Sequence, residues 1–323
     1  MKFHAHILQI SRSVLVLALG VASQQAYGQK NAWTQVAPFP VALAVDQEAW
    51  VQPEGAPHWV LSLDVLDDHV VQAPMERADG VAVEAPIEVS LPTPDGTFAR
   101  FHVVESMVMH PELARKFPDI KTYRGIGIDD PHASLRMDRT PKGLHAQVLS
   151  PNGSFYIDPF WRDDATVYTS YRKSQLARKD FVCGVKGGKD VVPNQAPQFI
   201  APASLTTGTR LRTYRLAVSA QGEYTDFHGG TVGGALAAIV TTVNRVTGIF
   251  ERDFAVRLEL VANNNLIVYT NSVTDPFSEN GSTDATLIEN HANTVTVIGN
   301  ANFDVGHLFN TGGGGLAGLG VVC

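Results

Sequence analysis

The sequence predicts an α+β protein in two units: a β-rich first half, and a second half in which strands alternate with helices as in α/β folds. Three observations predict it. Short alternating apolar segments separated by turn residues run from Trp59 to Ile157. Segments with apolar residues at helical spacing over many turns begin only after Thr231. A stretch with three prolines, Val191 to Ala203, reads as an exposed linker between them. A chain of 323 residues has room for two domains, and 44% hydrophobic against 18% charged residues is enough for a sizeable core.

In chain order, the N-terminus reads as an export signal. Lys2 and Arg12 bracket the charged region, and Ser13 to Ala22 is apolar apart from its serine. That run is about half of what spans a bilayer. Ala26-Tyr27-Gly28 supplies small residues for cleavage after Gly28. The other reading is an uncleaved anchor. The mature chain is expected to be secreted and to have no membrane partner.

Asp46 to Glu88 is acidic, with ten Asp or Glu, one Arg and no Lys. Trp59 to Leu63 and Val81 to Val83 alternate as strands do. Ile87 to Leu91, Pro92-Thr93-Pro94-Asp95-Gly96 and Phe98 to Val104 predict a β-hairpin. Met107 to Phe117 predicts one short helix. Short strands are expected at 123–128, 133–137, 143–148 and 153–157, and the character changes after about Arg162. Arg172-Lys173 and Arg178-Lys179 are basic doublets that read either as processing sites or as solvated charge.

The second unit begins near Arg210 with a strand, Leu211 to Ser219. Thr231 to Arg252 places Leu236, Ile239, Val240, Val243, Val246 and Phe250 on one helical face, with Asn244, Arg245 and Glu251 mostly on the other. Strands are expected at Ala255 to Val261 and Leu266 to Thr270, around the turn Asn263-Asn264-Asn265. Ser282-Thr283-Asp284 offers a cap for a helix through Ile298, with Leu287, Ile288, His291, Val295 and Ile298 inward. Phe303 to Phe309 is the next strand, and Gly312 to Gly315 leads into an apolar end at Cys323. An end of this kind is expected where a chain is truncated, because it leaves apolar surface and backbone groups without partners.

A net charge of −7 argues against a nucleic-acid partner, which needs the opposite balance. There is no His-Glu-x-x-His, no Gly-x-Ser-x-Gly and no phosphate-binding P-loop; Gly312–Gly315 lacks the following Lys-Ser/Thr. Asp129-Asp130 and Asp163-Asp164 read as solvated turns, and His307 as a half-buried histidine. Asn152-Gly153-Ser154 and Asn280-Gly281-Ser282 match the glycosylation sequon. Two cysteines, Cys183 and Cys323, exclude a disulfide scaffold and a four-cysteine metal site.

Several stretches carry a resemblance: Tyr214 to Ala220, Gly222-Glu223-Tyr224-Thr225, Ala237 to Val246, Ile249 to Asp253, and above all Phe303 to Cys323 (FDVGHLFNTGGGGLAGLGVVC). Through them residues 212–323 resemble the front half of a secreted metzincin metallopeptidase of the reprolysin (adamalysin-like) group. The resemblance implies the incomplete N-terminal subdomain of that catalytic domain, a mixed twisted sheet with two helices. It implies a substrate-binding edge strand at Leu316, Ala317, Gly318, Leu319, Gly320, Val321 and Val322, where an extended peptide or protein substrate would pair its backbone. A plain core strand is the other reading of that segment.

It also implies Zn2+, held by a downstream helix motif His-Glu-x-x-His-x-x-Gly-x-x-His whose glutamate is the general base. The 323 residues do not contain that motif. The chain as given is therefore expected to be an inactive N-terminal fragment of a metalloendopeptidase. Its expected organisation is a signal peptide over 1–28, a β-rich prodomain over 29–190 that partners its own catalytic domain, a processing region over 191–209, and the catalytic part over 210–323. Phe181-Val182-Cys183-Gly184-Val185 resembles the context of an inhibitory cysteine, which makes Cys183 a zinc ligand of the latent form. A Cys183–Cys323 disulfide and an inert Cys183 thiol stay open. The alternative function is a secreted, non-catalytic peptide-binding or adhesion protein on a degenerate peptidase fold.

Overall fold

Among the described residues, nine strands form one antiparallel sheet in the first half: β1 (Trp33–Val36), β2 (His58–Leu61), β3 (Ile87–Pro92), β4 (Phe98–Glu105), β5 (Lys121–Gly127), β6 (Ser134–Thr140), β7 (Gly143–Leu149), β8 (Phe155–Pro159) and β9 (Val167–Tyr171). The computed structural model describes residues 32–37, 48–77, 85–177 and 210–317. The expected strand at Val81–Val83, the doublet Arg178-Lys179 and the linker lie outside the described residues.

In the strand order β1-β2-β9-β8-β7-β6-β5-β4-β3, β3 to β9 are each paired with their sequence neighbours, and β1 and β2 lie beside β9. The sheet curls until its ends approach. Ser170 Oγ donates to Pro92 O at 2.8 Å, Arg172 pairs with Asp95, and Trp59 lies edge-on to Phe98 at 5.3 Å. Alternation fills the interior with Phe101, Val103, Leu135, Met137, Leu144, Ala146, Ile157 and Tyr168. The hairpin predicted at Pro92–Gly96 is the β3–β4 pair. The first unit extends beyond the expected change at Arg162, because β9 completes its sheet.

Two helices differ from expectation in this half. The acidic segment Leu63–Val70 is helix α1, burying only Leu66 and Val70. The segment Met107 to Phe117 is helical only over α2 (Pro111–Lys116). Before it, Val108 to His110 is extended and pairs in parallel with Leu260, with Leu260 N–H donating to Val108 O and His110 N–H to Leu260 O, both at 2.8 Å.

Among the described residues, the second half is built on three strands, β10 (Arg212–Ala220), β11 (Val256–Leu260) and β12 (Val305–Phe309), ordered β11-β10-β12. Both pairings are parallel, so within the described residues this sheet is parallel rather than mixed. The short helix α3 (Gly222–Phe227) follows β10, and α4 (Val232–Phe254) and α5 (Asp284–Val297) are the two long helices. Thr231 caps α4 by accepting from Gly234 N–H at 3.0 Å. The predicted stripe Leu236, Ile239, Val240 and Val243 packs on Leu216, Val218, Leu258 and Leu260. Each of those buried side chains contributes roughly 1.5–3 kcal/mol. Val108, Met109, Leu113 and Ile120 of the first half join the same core. The described residues, from 32 to 317, belong to one compact unit.

Two expectations in the second half are corrected. Leu266–Thr270 is not a strand: Asn264–Ile267 is a 3-10 turn, with one bridge from Val268 to Ala220. The side chain of Asn264 takes a strand's place, accepting Val218 N–H at 2.7 Å and donating to Val218 O at 3.0 Å. Helix α5 is also turned from its expected face. Thr286, Asn290 and Thr294 are buried, while Leu287 is 39% and Ile288 69% exposed, and only Ile298 of the predicted stripe is fully inside. The sheet beneath offers Ala217, Ser219 and Gly306, which are too small to receive a stripe of large apolar groups.

Candidate functional site

The carboxyl ends of β10 and β12 lie side by side, paired through Ala220 and Phe309. Open parallel sheets place ligands beyond such ends. The chain continues from Phe309 into Asn310-Thr311-Gly312-Gly313-Gly314-Gly315, so this turn is the first candidate. Gln221 N–H donates to Phe309 O at 3.1 Å, which fixes where the turn begins.

The turn is held from one side by the loop before α5. Asn280 Oδ1 accepts from both Thr311 N–H and Gly312 N–H at 3.1 Å, and its Nδ2 donates to Thr311 Oγ1 at 2.6 Å. Asn310 Nδ2 returns a bond to Gly281 O at 2.9 Å. Gly312 must be glycine here, because a Cβ would lie 2.4 Å from Asn280 O. The same loop is tied to the end of β10: Gly222 N–H donates to Asp275 Oδ2 at 2.8 Å, and Gln221 Nε2 to Glu279 O at 2.9 Å.

These residues were not singled out by the sequence as positioning groups. Asn280 read as a glycosylation sequon, yet both ends of its amide are engaged in the turn. Asn152, the other sequon asparagine, donates to Asp130 Oδ2 at 3.1 Å. The signal that could have found Asn280 is its Asn-Gly step, a turn-former, placed before a helix cap.

Beside the turn runs a line of rings. Phe309 lies 5.3 Å from Tyr224, Tyr224 4.4 Å from His228, and His307 5.0 Å from Phe309. His307 is exposed on the strand rather than half-buried. Burial, then the cations of Arg162 and Lys142, push the His228 imidazole down to about 4, so it is neutral near pH 7. Burial likewise pushes the Tyr224 hydroxyl above its ordinary value.

Of the predicted edge strand, Leu316 is half-buried, Ala317 exposed, and neither is in a strand; Gly315 makes a single bridge. Gly318, Leu319, Gly320, Val321 and Val322 lie outside the described residues, as do Cys183 and Cys323. Among the described residues no group of three or more His, Cys, Asp or Glu could hold a metal ion. The paired acids behave as turns: Asp129 pairs with Arg100, Asp130 accepts from Ser150 Oγ at 2.6 Å, Asp163 meets Lys142 and Asp164 caps Thr166. The arrangement offers a rigid, glycine-lined turn leading away from a sheet, which suits backbone recognition rather than acid–base work.

Residues 209–323, just over a third of the chain, match the family model described as metallo-peptidase family M12B, reprolysin-like. No curated protein matches the chain.

Proposed function

We propose that residues 210–323, the reprolysin-like segment, are the peptide-holding part of a secreted zinc metalloendopeptidase precursor. In this reading residues 29–190 are the prodomain and 191–209 the processing region. The observation that carries it is the parallel β11-β10-β12 sheet running into a glycine turn latched by Asn280, within the segment that matches the family. The M12B family is typically zinc-dependent, and a peptidase implies a peptide or protein substrate.

The described residues do not fit zinc, so no hydrolytic step is assigned to them. Their part is to hold an extended substrate. A chain leaving the turn as a strand would present a row of N–H and C=O groups, and the glycines at 318 and 320 would let a peptide backbone approach closely. Cys183 is the proposed zinc ligand of the latent form. A second reading is a secreted, non-catalytic peptide-binding or adhesion protein on a degenerate peptidase fold.

Fluorescein-labelled oxidised insulin B chain, titrated into purified residues 29–323, tests the peptide-holding role. Saturable binding is expected, weakened in Asn280→Ala, with no cleavage whether or not zinc is added. Absence of binding, or binding indifferent to Asn280→Ala, contradicts it.

A further inference from the structure

Helix α4 is amphipathic, and both its apolar and its polar stripe are packed against a sheet. Its apolar stripe lies on the parallel sheet, and its polar stripe lies on the outer face of the antiparallel sheet. That outer face is itself polar, as expected of an antiparallel sheet with one side meant for water. Two polar faces therefore meet, and they meet in register.

Asn244, 0% exposed, donates from Nδ2 to Met137 O at 3.0 Å. Arg245 Nη2 donates to Asp158 Oδ1 at 2.7 Å, and Thr241 Oγ1 to Asp138 Oδ2 at 2.7 Å. Glu251 pairs with Arg136, and Arg257 bridges Glu251 to Glu76 at 2.5 and 2.6 Å. Gly248 leaves room for Arg136, whose Cγ would lie 2.7 Å from a Cβ there. At the β11 edge, Val108 to His110 adds a further extended segment to the parallel sheet. This edge is the opposite one from β12 and the glycine turn.

We infer that residues 32–177 are a docked partner of residues 210–317, recognised through the polar face of α4 and the β11 edge, and retained after the chain is cut between residues 178 and 209. Matched charges and buried hydrogen bonds give such an interface specificity, and the Val108–Ile120 plug supplies the apolar area. The N-terminal unit also reaches the end of α3, where Arg162 lies 3.8 Å over the Phe227 ring and Trp50 5.7 Å from His228, so it supports the second sheet both at the β11 edge and beside α3. If the peptidase reading holds, processing would keep the N-terminal unit as a second subunit; the docking itself does not depend on that reading.

The test introduces one specific protease sequence between residues 191 and 209 of the full chain, cuts it, and follows the pieces by size exclusion and native mass spectrometry. The expected result is one particle containing both pieces at physiological salt. Two separate peaks would overturn the inference. In the cut protein, Asn244→Asp places a carboxylate against the Met137 carbonyl and is expected to weaken the pair by roughly tenfold or more. Thr242→Ala, exposed on the same helix, is expected to leave it unchanged. Equal retention in Asn244→Asp and Thr242→Ala would overturn the assignment of recognition to this face; if Asn244→Asp does not fold, the wild-type cut decides alone. Loss of peptide binding with the pieces still together would fault the proposed function and leave the docking standing.

Discussion

The side-chain oxygen of Asn280 receives the backbone N–H of Gly312 at 3.1 Å, joining the loop before α5 to the turn after β12 across 32 residues of sequence. Together with the Asn310 bond to Gly281 O, this amide holds the turn by which the chain leaves the parallel sheet.

Breaking that latch should loosen the turn more than the fold. Asn280→Ala removes three hydrogen bonds at an exposed site, worth about 1–2 kcal/mol together. Gly312→Ala should cost more, because the clash is with backbone. Hydrogen exchange should speed at Thr311 and Gly312 in Asn280→Ala while β10 stays protected. Unchanged exchange at those two amides would contradict the latch.

Asn264 stands in for a strand beside Val218, so Asn264→Ala leaves a buried N–H and a buried C=O unpaired. The expected loss is about 2–4 kcal/mol, read as a lower midpoint in urea with the same slope. A change below 0.5 kcal/mol, within the range of an ordinary surface substitution, would show that water or another group serves those atoms.

The ion-pair network under α4 should respond unequally to single and paired changes. Glu251→Gln leaves Arg136, which is 6% exposed, without its carboxylate, at an expected cost of about 3 kcal/mol. Replacing both, Arg136→Met with Glu251→Leu, should cost less than Glu251→Gln alone, since no buried charge is stranded. A double variant that loses the sum of both single effects would contradict this account.

Acid should destabilise the protein in two stages. Burial would raise the Glu76 carboxyl, but the Ser106 hydrogen bond and the guanidiniums of Arg257 and Arg124 outweigh it and hold it low. A depressed carboxyl contributes stability that is present above its unfolded value of 4.5 and lost as pH falls through the folded one. His228 acts earlier. Its unfolded form takes a proton near 6.5 and its folded form only at about 4, so stability declines as pH falls between them. His58, lowered by burial, adds in the same direction. Melting temperature should hold from pH 8 to 7, fall below 6.5, and fall less steeply in His228→Gln. A flat profile between 6.5 and 4.5 would exclude this linkage.

Much of the architecture was legible because it rests on local rules. The β3–β4 hairpin was written in Pro92–Gly96, and α4 in the spacing of Leu236, Ile239, Val240 and Val243. The failures share a cause, which is tertiary context. Nothing local shows that Asn244, Arg245 and Glu251 will meet a second polar face instead of water. The apolar run Leu266–Thr270 looks like a strand until Asn264 is seen to occupy the place beside Val218. Helix α5 carries a good apolar stripe, but the sheet under it is Ala217, Ser219 and Gly306. At the site, the glycine turn was visible as sequence, whereas Asn280 was not, since a latch between segments 32 residues apart has no periodicity to reveal it. Cys183 and Gly318–Val322 lie outside the described residues and rest on resemblance.

The most direct test of the peptidase reading is to sequence the natural transcript past the codon for Cys323. The account predicts an open frame that soon encodes His-Glu-x-x-His-x-x-Gly-x-x-His, completing the unit that begins at residue 210. A stop codon directly after Cys323 would contradict it and leave a secreted peptide-binding protein.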